Sequence, residues 1–149
     1  MGGHSATGLL RPGVDPLGSA FAALLGLSLL ALPLMTTRPN RIAAGTGLTA
    51  WSALPSGAVL LLGGVVALGL PLLALRAAPP LRLAAAAAIL LLLGLSAGWA
   101  ADHLTLPGDR YGRVSPDAGW WLAFATAALA VGDGLARLRR CYRRVGDLL

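Results

Sequence analysis

Residues 83–101 read LAAAAAILLLLGLSAGWAA, an uninterrupted run without a charged side chain, bounded by Arg82 and Asp102. A helix needs about 20 apolar residues, at about 1.5 Å of rise per residue, to cross a hydrocarbon layer of about 30 Å. This stretch therefore predicts a transmembrane helix.

Three other stretches of similar length are almost as apolar: 17–35, 53–75 and 118–136. Because backbone groups in lipid must be paired within the protein, long continuous apolar runs indicate helices rather than a barrel. The sequence predicts an all-α membrane protein with four transmembrane helices in two hairpins. An N-terminal tail, 1–16, precedes this domain (17–136), and a basic cytoplasmic tail, 137–149, follows it.

The composition excludes several classes of protein. Hydrophobic residues make up 56% of the chain and charged residues 12%, about half the usual charged share of a soluble domain. The basic residues are all Arg and the acidic ones all Asp, so no P-loop lysine, Schiff-base lysine or glutamate base is present. We expect no enzyme activity, no cofactor and no metal site.

Arginine distribution predicts the orientation. The net charge is +6, but the arginines flank apolar runs, which favours membrane topology over nucleic-acid binding. Placing both termini in the cytoplasm puts eight arginines inside and four outside. It also brings four tryptophans to the outer interface, where indole rings are favoured: Trp51, Trp99, Trp120 and Trp121.

Asp133 is the only ionisable residue within a predicted span, and such residues are candidates for function. Arg137 follows one helical turn later, so the pattern predicts an interfacial ion pair. An ion or proton relay and packing against a partner subunit are the alternatives. The basic run from Arg137 is expected to anchor the topology against anionic headgroups, or else to dock a cytoplasmic protein.

Small and aromatic residues supply further candidates. Gly94 and Gly98 form a GxxxG pattern, which favours close helix packing within the chain or a dimer seam. Trp120 and Trp121 are expected to anchor at the outer interface, with cation–π recognition of a quaternary ammonium as the alternative.

Prolines suggest where helices begin. Pro79 and Pro80 predict a short turn before the third span. Ser115, Pro116 and Asp117 read as the N-cap and first positions of the fourth helix.

The sequence Gly119-Trp-Trp-Leu122 is followed by an alanine-rich helix that reaches Asp133. This motif and a weaker one resemble the osmoprotectant ABC-transporter permeases of the glycine betaine/choline type. The first motif is similar to the family's Gly-Phe-Trp-Leu helix and its terminal Asp. Here Trp120 replaces the Phe, and Asp117-Ala118 departs from the usual Gly-Ser. The weaker motif comprises Leu32-Pro33, Pro39-Asn40-Arg41-Ile42, Trp51 and Leu54-Pro55. The resemblance extends over about residues 21–140.

The resemblance implies the accessory N-terminal membrane region of such a permease in a bacterial inner membrane. Its expected partners are the lipid bilayer, the permease core, a cytoplasmic ATPase subunit and a periplasmic substrate-binding protein. A chain without Glu lacks the family's usual Glu-Ala-Ala loop for the ATPase, so we expect no ATP coupling by this chain alone. Two interpretations of the chain remain open: a truncated or split permease, or a homologous region that occurs as a separate protein. Residues 141–149 favour the second. The alternative function is a stand-alone membrane scaffold with no transport role.

Overall fold

Four α-helices make up most of the part of the chain that the structure describes. The computed structural model describes residues 10–38, 46–49, 52, 54–103 and 113–146. The helices are α1 (Pro16–Leu30), α2 (Ser56–Ala74), α3 (Pro79–His103) and α4 (Ala118–Gly146). Helices α1 and α3 each pack against both α2 and α4, so the four helices form a ring in which each contacts two neighbours.

Two small antiparallel sheets accompany the helices, and the prediction of an all-α fold did not include them. The strands are β1 (Leu10–Val14), β2 (Met35–Arg38), β3 (Thr46–Leu48), β4 (Leu75–Ala77) and β5 (Arg113–Pro116). β1 pairs with β4, whereas β2 pairs with both β3 and β5. The β1–β4 sheet lies where α1 begins, which we call the charged end. The second sheet lies where α1 ends, which we call the three-strand end.

The core lies between the inner faces of the helices. On α4 this face includes Ala123, Ala127 and Ala130, all buried and spaced so that they share one side of the helix. Small side chains on α4 allow close approach of its neighbours, which supply larger buried residues: Leu25, Leu29, Leu62, Val66, Leu73, Ile89 and Leu93.

Three helices are long and apolar enough to span a membrane, through Ser56–Ala74, Pro79–Trp99 and Ala118–Arg144. The fourth apolar helix, α1, has 15 residues. The prediction of a first helix over 17–35 is therefore wrong at its C-terminal end, where the helix stops at Leu30 and the chain becomes extended at Met35. Pro33 accounts for this, because proline lacks an N–H and disfavours helical geometry in the residue before it.

The helix starts also correct the proline interpretation. Pro79 and Pro80 are the first residues of α3 rather than a turn before it, as suits a residue without an N–H. Helix α4 begins at Ala118, where the predicted span starts, but Ser115 and Pro116, predicted as its N-cap and first position, belong to β5. Pairing with β2 holds them in the extended conformation.

Candidate functional site: a charge cluster between helix ends

Four charged side chains meet at the charged end, and we call them the charge cluster: Asp15, Arg82, Asp133 and Arg137. Asp15 directly precedes α1, and Arg82 lies in the first turn of α3. Asp133 and Arg137 lie one turn apart on α4. The cluster thus links three helices that are distant in sequence.

Ion pairs connect both arginines to both carboxylates. Arg82 Nη1 donates to Asp15 Oδ2, and Arg82 Nη2 lies 3.7 Å from Asp133 Oδ2. Arg137 Nη2 lies 3.0 Å from Asp15 Oδ2, and its Nε donates to Asp133 Oδ2 at 2.8 Å. The predicted pair of Asp133 and Arg137 is present, as one part of a larger network.

Arg82 is the most deeply buried member, with only 4% of its side chain exposed. A positive charge near a helix N-terminus is also opposed by the helix dipole. Both costs are offset by the two carboxylates that face the guanidinium. Asp15 and Asp133 therefore stabilise the positive charge of Arg82 at a position where burial and the helix dipole both disfavour it.

Asp15 has a backbone role and a side-chain role. It occupies the N-cap of α1 before Pro16, yet its carboxylate makes no capping hydrogen bond because it is turned toward the arginines. Burial raises the pKa of Asp15, but the hydrogen bond from Arg82 and the charges of Arg82 and Arg137 outweigh burial and hold that pKa below its ordinary 3.8. The Asp15 N–H donates to the Ala74 carbonyl at 2.9 Å, which ties α1 to the end of α2.

The three-strand end contains a second carboxylate at a helix start. Thr36 Oγ1 and the backbone N–H of Ala118 both donate to the Asp117 carboxylate. These bonds hold the pKa of Asp117 below its ordinary value, against the small opposing effect of burial. The Asp117 N–H donates to the Leu34 carbonyl at 2.9 Å.

The two adjacent tryptophans have different environments. Trp120 is buried, donates from Nε1 to the Leu93 carbonyl at 3.1 Å, and stacks on Phe124 with ring centroids 4.9 Å apart. Its neighbour Trp121 is 59% exposed. Trp121 is thus free to act as an interfacial anchor, as predicted for both residues, whereas Trp120 is a core residue. The buried stacking of Trp120 also leaves no open two-ring site for a quaternary ammonium.

The glycine pattern on α3 does not bring helices of this chain together. A Cβ built on Gly94 or Gly98 meets no atom within 4 Å in the described part of the chain. Close contacts occur at glycines of the other helices: on α4, for example, a Cβ on Gly119 would be 2.5 Å from the Pro33 oxygen, and one on Gly134 would be 3.2 Å from Leu83 Cβ. Packing of the α3 glycines within the chain is thus not seen, and their use in a dimer stays a prediction.

Two further predicted residues, Asn40 and Arg41, lie outside the described residues. Conversely, the sequence interpretation used Arg82 only as the boundary of an apolar run, gave Asp15 no role, and missed their ion pair. The sequence did contain a signal for this ion pair, because the predicted topology places these opposite charges on the same side of the membrane.

The chemistry of the charge cluster is that of a structural tie. Each carboxylate already faces guanidinium groups, and the described residues contain no group of three His, Cys, Asp or Glu side chains that could hold a metal ion. The arrangement can fasten three helices together, and its two carboxylates balance the charge of its two guanidinium groups.

Long apolar helices with most of their surface outward, tied by ion pairs at one end, define a helical membrane protein. Residues 15–146, which include all four helices, match the family described as "ABC transporter permease YehY, N-terminal domain". The chain belongs to this family, which implies association with the membrane and with ABC-transporter partners. No curated protein and no solved structure matches the chain.

Proposed function

We propose that the chain is the accessory N-terminal membrane region of an ABC importer for osmoprotectants such as glycine betaine or choline, in a bacterial inner membrane. The family match over residues 15–146 carries this proposal. The importer substrate class is supported by the two motifs that resemble osmoprotectant permeases, of which Gly119-Trp-Trp-Leu122 begins α4.

The role proposed for the bundle is to pack beside a translocation core. Only 22% of the α2 span, 33% of the α3 span and 28% of the α4 span is buried within the chain. The outward surface is rich in large apolar side chains, such as Leu60 and Leu68 on α2 and Leu129 on α4. Such a surface suits lipid and neighbouring membrane helices.

The proposed orientation places the charged end in the cytoplasm. The charged end contains Arg76, Arg82 and the basic end of α4. An excess of arginine is typical of cytoplasmic segments, which supports this orientation. Segments 36–52 and 102–116 would then face the periplasm and be available to a substrate-binding protein.

We assign no catalytic step and no substrate contact to this chain. Trp120, the best candidate for holding a quaternary ammonium, is committed to the core by Leu93 and Phe124. In this proposal, binding of substrate and coupling to ATP hydrolysis belong to the partner subunits.

Site-specific photo-cross-linking in native membranes tests the assembly. A photoreactive residue at Leu68 or Leu129 is expected to cross-link to an integral permease core, because both side chains point outward from predicted spans. The matched control is Tyr142, which is equally exposed but lies beyond the apolar part of α4 and should give no such product. Repeated recovery of this chain without a permease partner would contradict the proposal.

Uptake measurements test the substrate class separately. A deletion strain is expected to take up less labelled glycine betaine at high salt than its parent, with proline uptake as the control. Normal uptake combined with an intact permease cross-link would overturn the osmoprotectant assignment and leave the permease assembly standing.

A further inference from the structure

A cleft of about 640 Å³ opens beside the charge cluster. The end of β4, the first turn of α3 and the C-terminal part of α4 form its walls. One carboxylate and four guanidinium groups line it: Asp15, Arg76, Arg82, Arg137 and Arg144. The cleft is therefore strongly cationic.

The charges of this cleft are only partly compensated. Asp15 and Asp133 face Arg82 and Arg137, whereas Arg76 and Arg144 form no ion pair with any described residue. Two positive charges thus remain without a counter-charge in the described part of the chain. An anion is the ligand that this balance favours.

Arg82 also has a hydrogen-bond donor that lacks an acceptor. Its Nη2 atom is buried and has no hydrogen-bond acceptor among the described residues. A buried donor without an acceptor is costly, more so when it is charged. Arg82, which lines the cleft, thus retains a donor that the described residues do not satisfy.

The position of the cleft indicates where the anion comes from. The apolar run of α3 begins directly after Arg82, and the apolar part of α4 gives way to arginines at Arg137. The cleft therefore lies at the ends of two candidate spans, which is the level of lipid headgroups. Basic pockets between transmembrane helices bind acidic headgroups, and guanidinium groups match phosphate oxygens in geometry.

We propose that this cleft binds the phosphate headgroup of an anionic phospholipid. The headgroup bridges Arg76, at the end of β4, and Arg144, on α4, and so joins two elements that the charge cluster does not connect. The site does not depend on what the importer carries, so a failure of the transport proposal leaves it standing.

Lipid retention by the purified full chain tests this proposal. Native mass spectrometry would compare phosphatidylglycerol with phosphatidylcholine for the wild type and for Arg76→Gln/Arg144→Gln. Loss of two phosphate contacts is expected to weaken phosphatidylglycerol binding at least about tenfold and to leave phosphatidylcholine unchanged. Neither substitution touches the charge cluster, and thermal unfolding of the variant checks that the bundle is intact.

A matched variant, Arg139→Gln/Arg143→Gln, removes the same charge from positions that are also exposed but do not line the cleft. It should lose less than about twofold in phosphatidylglycerol affinity, because a single exposed charge outside the cleft interacts with the lipid only through salt-screened attraction. Equal losses in the two variants would show that the arginines attract the lipid only through diffuse electrostatics, and would overturn the proposed site. Displacement of the lipid by inorganic phosphate at comparable concentration would assign the cleft to free phosphate instead, and equal retention of phosphatidylcholine would exclude headgroup recognition.

Discussion

The charged end and the three-strand end use the same backbone arrangement with different side-chain chemistry. At each end an aspartate directly precedes a helix, and its N–H donates to a carbonyl of another segment. Asp15 donates to Ala74, and Asp117 donates to Leu34, both at 2.9 Å. The geometry of the main chain is thus repeated at opposite ends of the bundle.

The difference lies in what reaches each carboxylate. Guanidinium groups face Asp15, whereas the Thr36 hydroxyl and a backbone N–H donate to Asp117. Removing a neutral donor costs one hydrogen bond, but removing a buried cation leaves carboxylates without compensation. The charged end should therefore be the more sensitive of the two to single substitutions and to pH.

The largest effect is expected from Arg82→Met. It leaves Asp15 and Asp133 with one cation instead of two, and breaking a buried ion network by removing one partner costs about 3–5 kcal/mol. Unfolding of the purified protein in detergent measures the loss. Arg76→Met is the control, since Arg76 is exposed and unpaired with any described residue, and equal losses in the two variants would show that the network does not stabilise the bundle.

Gly18→Ala tests the backbone arrangement at the charged end. A Cβ at Gly18 would overlap the Leu73 carbonyl oxygen and meet the Arg82 guanidinium, and overpacking of this kind costs about 1–3 kcal/mol. On the same helix, Gly26→Ala meets only Leu70 Cδ1, at 3.7 Å. That control should be neutral or more stable by up to about 1 kcal/mol, because alanine favours helix, and the same unfolding experiment compares them.

A smaller effect is expected from acid. The folded-state pKa of Asp15 lies below the 3.8 of the unfolded chain, so its ion pairs contribute their full stability above about pH 4 and lose it as the pH falls through the folded-state pKa. The unfolding free energy measured from pH 6 down to pH 3 should fall for the wild type and fall less for Asp15→Asn. If the unfolding free energy falls equally with pH in the two proteins, Asp15 does not contribute to the loss of stability in acid.

The smallest effect is expected at the three-strand end. Trp120→Phe removes the hydrogen bond to Leu93 and leaves a buried carbonyl with one partner fewer, a loss of about 0.5–1.5 kcal/mol. Trp121→Phe, on the exposed neighbour, should change the unfolding free energy by less than about 0.5 kcal/mol. A larger loss at Trp121 would contradict the division between a core and an outer tryptophan.

Hydropathy predicted the helices well because it depends on composition over long windows. The runs at 53–75, 83–101 and 118–136 each correspond to a long helix. The sheets could not be predicted in this way, since β2 pairs with β5, and β1 with β4, across segments far apart in the chain. Helix α1 ends early because of Pro33. This local signal was visible in the sequence, but the prediction gave more weight to the hydropathy of the whole run.

The candidate site was only half predictable for a related reason. Asp133 and Arg137 are four residues apart, so helix geometry alone brings them together. Asp15 and Arg82 are 67 residues apart, and their contact depends on how α1 and α3 sit in the ring. The same limit explains why close packing was assigned to Gly94 and Gly98, whose spacing is visible in sequence but whose facing direction is not.

The brevity of α1 has a consequence for the surrounding bilayer. Its 15 residues reach about 22 Å along the helix axis, whereas the 19 residues of α2 reach about 28 Å. Outward leucines such as Leu24 and Leu27 show that this short face is not covered by the rest of the bundle. A segment shorter than a hydrocarbon layer of about 30 Å is accommodated by local thinning of the bilayer or by association with another protein. Both responses make the α1 side of the domain the one where the surrounding membrane differs from that at the longer helices.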